Sequence, residues 1–66
     1  MAYYNRGYSY KKLGQYQTAI NDYTKVIQLN PDYVNAYYNR GISYFYLGQD
    51  LTAINDYTKA IQLNPD

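Results

Sequence analysis

Cysteine, histidine and glutamate are all missing from the 66 residues. Without Cys, no disulfide can tie so short a chain, and thiols carry no information about its compartment. With His missing as well, an ordinary zinc site is not expected. The usual general base and the strongest side-chain nucleophile are also gone. Ser9 and Ser43 have no base at a visible spacing. The four glycines, Gly7, Gly14, Gly41 and Gly48, do not form a phosphate-cradling loop. No catalytic residue, cofactor or metal is expected, and the chain reads as a non-enzyme.

Charge is equally sparse. Six basic residues face five aspartates, for a formal net charge of +1. No basic stripe offers a nucleic acid an electrostatic footprint, so none is expected as partner. No apolar run approaches the roughly 20 residues needed to cross a bilayer, so no membrane partner is expected either. Met1 leads directly into the first repeated segment, with no secretion signal in view, and a cytoplasmic setting is the default expectation.

Tyrosine is abundant, at 12 positions. Each ring brings a large apolar area and a hydroxyl that needs a partner or water. Asn is frequent and a poor helix former, so helices here depend on packing more than on propensity.

The chain repeats itself. Ala2-Tyr-Tyr-Asn-Arg-Gly7 returns as Ala36-Tyr-Tyr-Asn-Arg-Gly41, Thr18 to Lys25 return as Thr52 to Lys59, and Ile27 to Asp32 return as Ile61 to Asp66. Aligned at this offset of 34, residues 1–32 and 35–66 differ only at Met1, Tyr8, Lys11, Lys12, Tyr16, Gln17 and Val26 of the first copy. A fixed period between about 20 and 50 residues marks a solenoid unit that buries its apolar face by stacking on a neighbour. A single small core supplies only about 3–5 kcal/mol, so further burial has to come from other repeats, a partner or self-association.

Helical spacing predicts four helices, at about 2–13, 16–29, 33–47 and 50–63, and no strands. Tyr3, Arg6, Gly7, Tyr10 and Leu13 or Gly14 form the first packing stripe, with Ser9 on the same side. Tyr16, Ala19, Ile20, Tyr23 and Val26 or Ile27 form the second. Tyr37, Gly41, Tyr44 and Leu47 form the third, and Ala53, Ile54, Tyr57, Ala60 and Ile61 the fourth. Gly7 costs a helix about 0.5–1 kcal/mol relative to Ala, which close approach of a neighbouring helix would offset. Gly14 is expected in the left-handed conformation that ends the first helix. Asn30-Pro31 stops the second helix, and Asp32 and Asp50 are expected to cap the helices that follow them. Asn64-Pro65-Asp66 closes the second unit at the same phase.

These residues resemble the tetratricopeptide repeat. Tyr3, Gly7, Tyr10, Leu13-Gly14, Tyr16, Ala19, Tyr23 and Pro31 match that pattern in order. Tyr37, Gly41, Tyr44, Leu47-Gly48, Ala53, Tyr57, Ala60 and Pro65 match it again. Asp50 departs at the Tyr position, and Val26 enlarges a usually small one. The resemblance implies an all-α fold: two tandem helix-turn-helix repeats, 1–32 and 35–66, whose antiparallel helices form a right-handed solenoid. Arg6 and Arg40 stand where the family often has Leu. They pair with Asp22 and Asp56, or Asp22 reaches forward to Arg40; the alternative is that both guanidinium groups snorkel into solvent.

The family's first helices line a groove that takes extended peptides. By phase the resemblance selects Tyr4, Asn5, Tyr8, Lys11 and Lys12 from the first unit, and Asn35, Tyr38, Asn39, Ile42, Phe45 and Tyr46 from the second. Spacing supports a separate stripe: Tyr4, Tyr8 and Lys11, like Tyr38, Ile42 and Phe45, fall at i, i+4, i+7 beside the packing stripe. Such a stripe either stabilises the array by stacking or walls a peptide site, with Asn5 and Asn39 reading the peptide backbone. The clamp that holds acidic chaperone tails is not matched, because Tyr4 and Tyr8 stand where it needs Lys and Asn. A protein or peptide partner is expected. The alternative is a fragment of a longer array that self-associates through an end face of Leu51, Ile54, Tyr57 and Ile61, because two repeats leave both ends uncapped.

Overall fold

The computed structural model describes residues 1–65, and Asp66, the last residue of the predicted second unit, lies outside them. Four helices follow in order: α1 (Ala2–Lys12), α2 (Tyr16–Leu29), α3 (Val34–Tyr46) and α4 (Asp50–Leu63). No strand occurs among the described residues. The predicted helices are all present; α1 and α3 are trimmed by a residue at their ends.

The trimming has a local cause. After α1 the chain turns through Gly14 at φ +80, a left-handed value that side chains with a Cβ resist. The Gln15 N–H donates to the Tyr10 carbonyl at 2.9 Å, and the Gly14 N–H to the Lys11 carbonyl at 3.0 Å. This pair of bonds satisfies carbonyls the last turn would otherwise leave open. It also delivers Gln15 directly as the residue preceding α2. Gly48 and Gln49 repeat the turn, with Gly48 at φ +79.

The two predicted Asp caps are not formed. Tyr33 and Gln49 occupy the N-cap positions, and neither makes a side-chain cap bond. Asn30 takes an extended conformation ahead of Pro31, as the proline ring requires. Its Oδ1 then accepts the Asp32 N–H at 3.4 Å. Asp50 sits one residue inside α4, where its charge favours the positive end of the helix dipole instead.

Packing runs α1 on α2, α2 on α3 and α3 on α4, while α1 and α3 touch only along a narrow seam. The inner helices α2 and α3 are therefore covered on two sides. The core is Ala19, Ile20, Tyr23 and Val26 from α2, Ala36 and Tyr37 from α3, and Ala53 and Ala60 from α4. Gly7 is the sole buried residue of α1. A Cβ there would lie 3.1 Å from both Asp22 Cβ and Tyr23 Cε1, so its absence lets α2 approach. At Gly41 the same atom would meet Tyr57 Cε1 at 2.8 Å.

The expected stripes hold for α2 and fail in part elsewhere. Tyr3, Ser9 and Leu13 are exposed, and so are Leu47, Ile54 and Ile61. Tyr3, Ser9, Ile54 and Ile61 lie on helix faces that need a further repeat to cover them. Leu13 and Leu47 lie in the turns.

Candidate functional site

The face shared by α1 and α3 is built around one amide. Asn39 is 7% exposed, and its bonds join the two repeats. Its Nδ2 donates to the Tyr4 hydroxyl and to the Asn35 carbonyl, both at 2.9 Å. Its Oδ1 accepts from Lys11 Nζ at 2.7 Å. Both faces of the amide are thus engaged within the chain. Asn39 is a strut between repeats in this structure, which corrects its expected place as a free backbone reader. Asn5 and Asn35 are exposed.

Tyr4 is held from three sides. Its ring lies 5.2 Å from Tyr33 and 5.8 Å from Tyr23. Burial first, and then the neighbouring Tyr33 and Tyr8, push its hydroxyl above the ordinary tyrosine value, against the opposing bond from Asn39. Tyr33 was invisible as a contact in the sequence because helical phase placed it merely at the start of α3. The Pro31-Asp32 turn instead holds it outside the helix, over the repeat boundary.

A basic, aromatic cluster closes one end of this face. Lys11 Nζ lies 4.7 Å from the Tyr8 ring centre and Lys12 Nζ 5.7 Å. Lys11 is shifted below the ordinary lysine value, chiefly by burial and then by Lys12. Tyr8, Tyr38 and Phe45 present exposed rings, and Ile42 is half-buried. Tyr46, selected for the groove, turns its ring to α2. It stacks on Tyr16 of α2 at 5.0 Å with planes 9° apart, and Phe45 meets it edge-on at 5.6 Å.

The two arginines are paired within their own repeats. Arg6 donates to Asp22 through Nε at 2.8 Å and Nη2 at 2.7 Å. Arg40 reaches Asp56 through the same atoms, both at 2.8 Å. Both guanidinium groups are shifted further up, first by the hydrogen bond to their carboxylate. Arg40 has one more bond, from Nη1 to Thr24 Oγ1 at 3.2 Å across the repeat boundary. The arginine–aspartate spacing was readable from the sequence, but the Thr24 contact was not, since a lone helix-face Thr carries no signal.

Two concavities stand out, and both lie at the ends of the array. One, of about 480 Å³, lies between α3 and α4 and is lined by residues that include Asn35, Tyr38, Tyr57 and Ile61. The other lies against Ala2, Tyr3 and Arg6. Leu51, Ile54 and Ile61 are exposed on the outer side of α4, and Tyr57 is half-buried.

Comparison with known proteins agrees with this architecture. A family model described as TPR repeat matches residues 7–48, spanning the boundary between the units. A second, described as tetratricopeptide repeat, matches residues 34–66. A search of curated proteins found no match. Proteins built from such repeats are generally interaction modules that bind proteins or peptides, and the family is typically non-enzymatic. Among the described residues no helix is long and apolar enough to cross a membrane. With the repeated helical hairpins, their glycine turns and two matching family models together, the chain belongs to the tetratricopeptide repeat family.

Proposed function

We propose that the α1/α3 face receives an extended segment of a partner protein. The observation that carries this reading is the row of exposed rings, Tyr8, Tyr38 and Phe45, beside Lys11 and Lys12 on a face without a carboxylate. Asp22 and Asp56 are taken up by their arginines. The free charge of the face is therefore positive, and it suits a segment that carries acidic and apolar side chains. Asn5 and Asn35 offer donor and acceptor to the segment's backbone, while Asn39 keeps the two walls in register. A displayed random heptapeptide library panned against the protein tests the idea. Enriched peptides should be acidic, and Tyr8→Ala with Phe45→Ala should weaken them at least tenfold with helicity unchanged. Equal binding to that double variant overturns the reading.

A second reading, self-association through the end faces, has its own support. Ile54 and Ile61 are exposed on α4, whereas their equivalents on α2, Ile20 and Ile27, are buried and half-buried.

A further inference from the structure

The boundary between the two repeats serves as a template for a boundary between two molecules. At the internal boundary α2 meets α3, and Ala36, Tyr37 and Ser43 are buried there. Their equivalents on α1, Ala2, Tyr3 and Ser9, are exposed. On the opposite end, α4 carries Thr52 to Leu63 with the sequence that α2 carries from Thr18 to Leu29, except for Ala60 in place of Val26. α1 and α4 thus carry the two halves of an interface that the chain already contains once.

The seven differences between the copies bear on that pairing. At the internal boundary Tyr16 stacks on Tyr46. Thirty-four residues away from each, the sequence has Asp50 and Lys12. Both partners of the stack are replaced together, by opposite charges. Both are exposed, and among the described residues neither takes part in an ion pair within the chain. Arg6 follows the same logic. Its side chain is 60% exposed, against 19% for Arg40. Arg40 spends Nη1 on Thr24, whose equivalent, Thr58, is exposed.

We infer that a second copy of this chain docks head to tail, α1 of the incoming copy lying on α4, with its Lys12 facing Asp50 and its Arg6 reaching Thr58. This rests on the self-association reading and adds its register and polarity. The aromatic stack holds the repeats within a molecule, and the ion pair selects the contact between molecules. Such a contact is heterologous, so it propagates to chains of more than two copies.

Sedimentation velocity over a dilution series tests it with the full chain and two charge reversals, Lys12→Asp and Asp50→Lys. Both sites are on the surface, so circular dichroism should show unchanged helicity. The wild type should sediment above one chain mass and fall toward it on dilution. Each reversal alone places like charges across the contact and should weaken association about tenfold. In an equimolar mixture the two variants can alternate along the assembly, which places opposite charges at every junction and should recover the wild-type mass. If the mixture stays as weak as its components, or if neither reversal matters while Ile54→Lys dissociates the assembly, the head-to-tail register is wrong and self-association survives in another form. A wild type that stays monomeric throughout overturns both.

Discussion

The two repeats of this chain are a controlled comparison: nearly the same residues, placed in two different surroundings. Their local structure is the same. α2 and α4 share bounds offset by one repeat, and Gly14 and Gly48 turn at φ +80 and +79. Their burial is not. Ile20 is 3% exposed and Ile54 is 54% exposed. Ser43 is sealed and Ser9 is open; Ala36 is sealed and Ala2 is open. Sequence sets the shape of each helical hairpin, while burial belongs to the neighbour. A repeat has no interior of its own until another stacks on it.

The isoleucines should separate most widely. Ile20→Ala opens a cavity between α2 and α3 and should cost about 3 kcal/mol, enough to unfold much of so small a domain. Ile54→Ala removes a side chain that is already half in water and should cost well under about 1 kcal/mol in dilute monomer. Urea melts at low concentration check both. Equal losses would mean that the outer face of α4 is covered in solution.

The arginines come next. Arg40→Met strands the buried carboxylate of Asp56 beside α3 and should lower stability by about 2 kcal/mol. Arg6→Met strands an equally buried carboxylate, but the Arg6 side chain it removes is largely exposed, so water can take its place and the thermal midpoint should fall by less. If the two midpoints fall together, the greater cover of Arg40 and its bond to Thr24 contribute nothing.

How much of this was legible beforehand depends on the range of the signal. The glycine turns, the Pro31 stop and the pairing of Arg6 with Asp22 are short-range or repeat-locked, and period and phase suffice for them. The caps failed because Asp32 and Asp50 are of the right residue type but one position away from the required geometry. Asn39 looked like a free amide because its partners, Tyr4 and Lys11, lie 35 and 28 residues away, beyond anything that spacing reveals. The stack of Tyr46 on Tyr16 depends on how two helices cross, which the phase of either helix alone does not carry.

The smallest expected effect is the one most specific to packing. Tyr23 is fully buried, and its hydroxyl has no hydrogen-bond partner, whereas the equivalent Tyr57 is half-open beside the terminal concavity. An unpaired buried hydroxyl is a cost, so Tyr23→Phe should be neutral or stabilise by about 1 kcal/mol, and Tyr57→Phe should do almost nothing. Titration distinguishes this from a simple change in packing. Burial holds the folded Tyr23 hydroxyl well above its ordinary value of 10.0. Its contribution is therefore intact below pH 10 and is lost as the pH rises beyond it, because the unfolded chain releases the proton first. Tyr4 and Tyr57 are also shifted upward by burial, so part of the alkaline loss should persist in Tyr23→Phe. The variant's thermal midpoint should nonetheless fall less steeply above pH 10 than that of the wild type. Parallel curves would mean that Tyr23 reaches water in the folded protein, and the comparison with Tyr57 would lose its basis.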